Sequence, residues 1–226
     1  MLVRSETLSA IPGLVHGFTS AALEGASDLR EGAPEQVWEA AAEALGAPGA
    51  GVARMKQVHG RQVLRVSGPG MAGEADALVT DTPGLLLAVR VADCVPILVV
   101  GQRGVVAIHA GWRGLALGVI AAALDALGPA RAAVVGPCIS GEAYEVGDEV
   151  IAGIEAAGVP GHAFIRQGPR RRHADLPAAT AWLLREGGVA EVDVLGLCTF
   201  SDLRLHSFRR SGGAPGRQAG LIGWRG

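Results

Sequence analysis

The chain has 226 residues, 49% hydrophobic and 19% charged, with a formal net charge of -2. This length favours one domain, and the apolar share is enough for a core and excludes a disordered chain. The near-neutral charge provides no field for nucleic acid or an anionic membrane, and 34 glycines imply many tight turns or backbone that approaches a ligand closely.

Along the chain, Met1 to Pro12 has no apolar run behind a basic flank, so no signal peptide is expected. Leu14 to Phe18 reads as a short strand. Pro34 to Leu45 is Ala- and Glu-rich with Pro and Glu in its first turn, which predicts a helix. Val52 to Val58 and Gln62 to Val66 are β-like runs broken at His59-Gly60, and Ala77 to Thr80 is a further strand closed by the turn Asp81-Thr82-Pro83-Gly84. Two nearly continuous apolar runs follow, Leu85 to Val100 and Gly104 to His109, as expected of strands covered on both faces. The first is interrupted by Arg90 and Asp93 and is too short and polar to span a membrane. A helix is expected over Arg113 to Leu127, a strand over Ala132 to Val135 and a helix over Val146 to Ala157. Asp175 is placed to cap a helix from Leu176 to Glu186, with Pro177 in its first turn. Val192 to Leu197 and Leu221 to Trp224 complete the strands. The mixture of hairpins and strand–helix alternation predicts an α+β domain spanning 1–226, with helices flanking a mixed sheet.

Three side chains stand at strand ends or breaks: His59, Cys94 and His109. Two imidazoles and a thiolate leave a fourth position for water, a shell suited to catalytic zinc, which would bring the pKa of that water to about 7. Taken singly, each residue has an ordinary alternative as a packed thiol or a hydrogen-bonded core histidine. The spacing matches no zinc ribbon or finger, and three scattered cysteines fit free thiols in a reducing cytoplasm.

The strings KQVHG, ADALVT, VADCVPILVV, HAGWRG, GPCISGEAYEVGDEV and HSFRRSG followed by GR resemble the YfiH family, also called the laccase-domain or polyphenol-oxidase-like family, from about Val15 to Arg217. The resemblance implies a four-layer α/β/β/α sandwich like that of cysteine-hydrolase toxin domains. It also implies a zinc site made by His59, Cys94 and His109. One departure is clear. The family's early Arg, Gly-Gly-Val-Ser and Ser-Leu-Asn segment is replaced after His16-Gly17-Phe18-Thr19-Ser20 by AALEGASDLREG, which puts one wall of the pocket in question.

The resemblance further implies phosphorolysis of purine nucleosides to base and ribose 1-phosphate, with hydrolytic deamination of adenosine. His59, Cys94 and His109 are the catalytic candidates; Lys56, Gln57, Arg113, Arg209 and Arg210 are candidates for substrate and phosphate, with Arg217 near the last two. A multicopper laccase would need more imidazoles than the 6 histidines supply, although a single copper with Met55 as axial ligand is formally open. Within the same family, editing of cell-wall precursors by amide hydrolysis is an alternative. So is a metal-free hydrolase with Cys94 as nucleophile and His109 as base. Asp93 is either a partner of a ligand imidazole or turned away from it. Asp76 is expected only to open a strand, Trp112 and Cys138 to pack, and Cys198 to sit in the core. The expected partners are nucleoside and phosphate, and the expected location is the cytoplasm.

Overall fold

A computed structural model describes residues 1–168, 171–213 and 216–226. In chain order the strands are β1 (Leu14–Phe18), β2 (Gly51–Lys56), β3 (Val63–Arg65), β4 (Gly70–Glu74), β5 (Ala77–Thr80), β6 (Leu85–Val91), β7 (Val95–Gly101), β8 (Val105–Ala110), β9 (Ala130–Val135), β10 (Ile165–Gln167), β11 (Arg172–Ala174), β12 (Glu191–Val194) and β13 (Gln218–Trp224). The helices are α1 (Glu6–Ser9), α2 (Glu35–Ala44), α3 (Trp112–Ala116), α4 (Val119–Leu127), α5 (Asp148–Ala156), α6 (Gly161–Phe164), α7 (Leu176–Glu186) and α8 (Phe208–Ser211).

The predicted strands β1 and β5 and helix α7 have the expected bounds, and the Asp175 carboxylate accepts the Ala178 N–H as its cap. The expected run Leu85 to Val100 is two strands, because the chain turns sharply at Ala92-Asp93-Cys94 and β7 joins a different sheet. The expected helix Arg113 to Leu127 divides into α3 and α4 at Gly118, whose φ of 81° is left-handed and interrupts the helical path. Strand β4, rich in Gly and exposed, has no apolar alternation to reveal it.

Two mixed sheets form, β1-β13-β6-β2-β4 and β12-β9-β7-β8-β5-β3. Three cores lie between four layers. Trp38, Ala41 and Leu45 of the α2 segment pack on Val15, Val52 and Leu86 of the first sheet. Phe18, Met55, Leu87, Leu98 and Val134 fill the space between the sheets. Helices α4, α5 and α7 cover the other face of the second sheet through Ile120, Ile151 and Leu184. The continuous apolar runs now have their reason. Along β6, Leu85, Leu87 and Val89 face the inter-sheet core while Leu86 and Ala88 face α2. Each such fully buried Leu or Val contributes about 1.5–3 kcal/mol. Among the described residues no helix is long and apolar enough to cross a membrane.

Strands β2, β4 and β6 are parallel neighbours, so they end on the same side of the first sheet. After each, the chain crosses to the second sheet, to β3, β5 and β7. These three crossovers carry His59, Asp76 and Cys94.

Candidate active site

Among the described residues, two non-glycine positions have positive φ, and both are in these crossovers: His59 at 60° and Asp93 at 89°. Such conformations cost about 1–3 kcal/mol each and persist only where surroundings hold them. Asp76 holds the first. Its Oδ1 accepts the His59 N–H at 2.9 Å and its Oδ2 accepts the Gly60 N–H at 2.6 Å. The Asp93 carboxylate holds the second, accepting the Thr199 hydroxyl at 2.5 Å and the Arg209 N–H at 2.6 Å. Of the two orientations open to Asp93, the structure therefore shows it turned to Thr199 and Arg209. There it ties the β6–β7 turn to the segment before β13.

His59, Cys94 and His109 converge, with their potential ligand atoms within 4.8 Å of one another. Cys94 Sγ lies 3.9 Å from His59 Nε2, and the two imidazole rings meet edge to face at 4.8 Å between centroids. His109, on β8, is fixed by Asp76, whose Oδ1 is 2.8 Å from its Nδ1. Hydrogen bonding from His109 and the two backbone N–H groups outweighs burial and keeps the Asp76 pKa below its ordinary value. An ionised carboxylate only accepts, so Nδ1 carries the proton and Nε2 is the nitrogen left for the cluster. A tetrahedral ion bonded at about 2.0 Å to nitrogen and about 2.3 Å to sulfur sets two nitrogens about 3.3 Å apart and a nitrogen and a sulfur about 3.5 Å apart. The Cys94–His59 separation is close to that, and the rest is within reach of side-chain rotation. Gly111 leaves the cradle open: a Cβ there would lie 3.1 Å from Cys94 Sγ and 3.2 Å from the His59 ring. The donor set thus fits a metal ion of the zinc or copper kind.

Without metal the same groups polarise one another. Burial alone would raise the Cys94 pKa, but the His109 and His59 imidazoles outweigh it and bring the thiol down to about 6. Burial would lower His109, but the Cys94 thiolate and the Asp76 carboxylate lift it to about 9.

The cluster borders a cavity of about 590 Å³. Gln57, Arg113 and Arg209, expected from the sequence, line it, as does Arg217. The Arg113 guanidinium lies over the Trp112 ring at 4.4 Å and that of Arg209 over Tyr144 at 5.0 Å. Arg209 also donates both Nη groups to the Glu145 carbonyl oxygen. Trp112 packs beside Gly153 of α5, as expected, and also borders the cavity.

Two of the candidates lie outside the lining of this cavity. Lys56 does not line the cavity; it is exposed and paired at 2.8 Å with Glu74, its cross-strand partner on the edge strand β4. Arg210 is also outside: its guanidinium donates to the carbonyl oxygens of Thr199, Phe200, Asp202 and Leu205, so it clips a loop. Gln57 borders the cavity, but its amide is spent on the Arg90 backbone, donating to the carbonyl at 2.7 Å and accepting the N–H at 2.8 Å. Met55 is 1% exposed in the inter-sheet core, as a packing residue. Cys138 is buried beside a second cavity, and burial raises its thiol pKa well above normal. Cys198, expected in the core, is only partly buried and accepts the Ser140 N–H.

Sequence reasoning missed Asp76, Arg90 and the pair Arg30 and Glu31, the last three of which line the cavity. An acidic residue at the mouth of an apolar strand and an arginine inside an apolar run were the available signals. Arg30 and Glu31 come from the segment where the family's usual N-terminal string is absent. Asp28 anchors that segment by accepting the Arg217 N–H at 2.9 Å and the Arg30 Nε–H at 2.6 Å.

Comparison with known proteins agrees with this architecture. Residues 19–225 match the family described as multi-copper polyphenol oxidoreductase laccase, and the chain belongs to that family, whose relatives include YfiH proteins. It is 42% identical over 190 residues to a Deinococcus radiodurans protein named purine nucleoside phosphorylase, covering 80% of this chain and 74% of that one. It is 33% identical over 174 residues to the Escherichia coli purine nucleoside phosphorylase YfiH, covering 74% and 72%. The crystal structure of Neisseria meningitidis NMB0706 superposes with a TM-score of 0.83 at 30% identity, covering 100% of this chain and 99% of that one.

Proposed function

We propose that residues 1–226 act as a single domain and form a zinc-dependent purine nucleoside phosphorylase that also deaminates adenosine, working in the cytoplasm. The observation that carries this reading is the convergence of His59, Cys94 and His109 on an arginine-rich, aromatic-walled cavity of about 590 Å³. That volume is in the range of small-molecule sites, about 300–1,000 Å³. The names of the Deinococcus and Escherichia relatives support the nucleoside assignment. In phosphorolysis a phosphate oxygen bonds to ribose C1′ as the C1′–N bond breaks; the bonding pair leaves with the base, which takes up a proton. His59, Cys94 and His109 would hold the zinc, which supplies Lewis-acid polarisation of an oxygen. Asp76 keeps His109 in the tautomer that presents Nε2. Arg113 and Arg209, with Trp112 and Tyr144, offer flat cationic faces to a heteroaromatic base. Zinc is favoured over copper laccase chemistry because the other four histidines, His16, His162, His173 and His206, do not line this cavity.

The test is metal content by elemental mass spectrometry on protein purified without chelator, beside Cys94→Ser, with inosine and adenosine turnover followed with and without phosphate. Near-stoichiometric zinc lost in the variant, and inosine cleavage that needs phosphate, are the expected results. Copper, or turnover indifferent to phosphate, overturns the proposal; phosphate-free hydrolysis of an amide would point to cell-wall precursor editing.

A second reading has its own observation. The Cys94 thiol brought down to about 6, with His109 oriented by Asp76, is the arrangement of a cysteine nucleophile, base and orienting carboxylate. Turnover that survives chelation and is then lost to iodoacetamide would select this reading; turnover lost on chelation alone rejects it.

A further inference from the structure

The cavity has two unlike cationic walls. On one, the guanidinium groups of Arg113 and Arg209 lie on aromatic rings. On the other, Arg90 stands at the end of β6, half-buried, with no aromatic partner. Its Nη2 donates to the Met55 carbonyl oxygen at 3.2 Å, and among the described residues it forms no ion pair with a carboxylate. Gln57 grips the Arg90 backbone from both sides, so the position of this arginine is set before any ligand arrives. Arg30, which is paired with Asp28, and Arg217, whose backbone N–H donates to the same Asp28, border this cavity, with Glu31 and Asp93 as acidic groups of its lining. Burial is the main cause that holds the Arg90 pKa below its ordinary value; the Glu31 carboxylate opposes it, and the charges of Arg217 and Arg54 add to it. A half-buried guanidinium without a direct ion pair is costly unless an anion is delivered to it, and the planar fork suits a tetrahedral oxyanion.

We propose that Arg90, positioned by Gln57 and flanked by Arg30 and Arg217, is the subsite for inorganic phosphate, while the Arg113–Trp112 and Arg209–Tyr144 wall receives the base. This assignment rests on the phosphorylase reading. It makes Gln57 a positioning residue that sets the phosphate arginine without touching the ligand. It also gives the altered N-terminal segment a use, since that segment supplies Arg30.

The experiment measures KM for phosphate and for inosine separately on zinc-loaded wild type, Arg90→Gln, Arg90→Lys and Arg113→Gln. Loss of a charged hydrogen-bonding partner is expected to raise the phosphate KM of Arg90→Gln by about ten- to a hundredfold. Its inosine KM should stay within about twofold, with partial recovery in Arg90→Lys, which keeps the charge but loses the fork. Arg113→Gln should show the reverse split. A phosphate KM that is unchanged in Arg90→Gln, or that moves only in Arg113→Gln, overturns the assignment. Thermal stabilisation by inorganic phosphate alone gives a readout independent of turnover. If wild type shows no phosphate-dependent cleavage, the phosphorylase reading fails, and this melting shift decides the subsite. Stabilisation present in wild type and lost in Arg90→Gln supports it; an equal shift in both proteins, or none in wild type, overturns it. Melting temperatures without phosphate show whether Arg90→Gln is folded, and Arg90→Lys replaces it in both assays if it is not.

Discussion

His16 and His109 are each 3% exposed, yet they are driven in opposite directions. At His16, burial and then the Arg4 charge push the imidazole down to about 4, and its Nε2 accepts the Ser5 N–H as a neutral ring should. At His109, the Cys94 thiolate and the Asp76 carboxylate outweigh burial and lift it to about 9. The cysteines repeat the contrast. At Cys138, burial first and then the Asp175 charge push the thiol up, whereas Cys94 is brought down to about 6 by two imidazoles. Burial alone makes a histidine or cysteine neutral and inert; chemistry requires that the fold deliver a partner of opposite charge to the same place.

The contrast can be broken most forcefully at the thiols. Cys94→Ser is expected to lose the metal and to reduce kcat/KM by on the order of a thousandfold, read by elemental analysis and steady-state kinetics. Retained zinc and near-normal turnover would remove Cys94 from the site. Next in size is the pH response of His16. The unfolded chain takes up a proton near the ordinary value of 6.5, but the folded imidazole does so only near 4. Stability is therefore undiminished by this group above pH 6.5 and falls by up to about 3 kcal/mol as the pH drops to 4. Urea unfolding of wild type and His16→Gln at pH 7 and pH 4.5 isolates this contribution. The wild type should lose more stability than the variant, and parallel losses would refute the assignment.

A smaller effect sharpens the comparison at His109. Asp76→Asn keeps the shape but weakens the partner, and metal affinity should fall by about 10–100-fold in a competitive chelator titration. Unaltered affinity would mean that His109 is oriented without this carboxylate. The smallest change is expected at the other thiol. Cys138→Ala should cost about 1 kcal/mol of stability through a small cavity and leave zinc content and kcat unchanged. Loss of metal in that variant would show that the two cavities are coupled.

The local features of this chain were largely legible before the fold was known. Strand β1, strand β5 and helix α7 follow from short apolar runs, a turn and the Asp175 cap, all decided within a few residues. His59, Cys94 and His109 stand out by their places at strand ends and by the family-like motifs around them. What could not be read was which neighbours they would acquire. Asp76 precedes an apolar strand and looks like a simple boundary. It reaches His59, Gly60 and His109 because β2, β4 and β6 are parallel and end at one side, where each crosses to the second sheet. Arg209 and Arg210 are adjacent and chemically identical, yet one borders the cavity and the other clips a loop. Sequence pattern fixed the faces and ends of elements, because these depend on local periodicity and capping. The partners, and with them the charge states of the site, were decided only by tertiary structure, because residues distant in the chain become neighbours through sheet order and crossover direction.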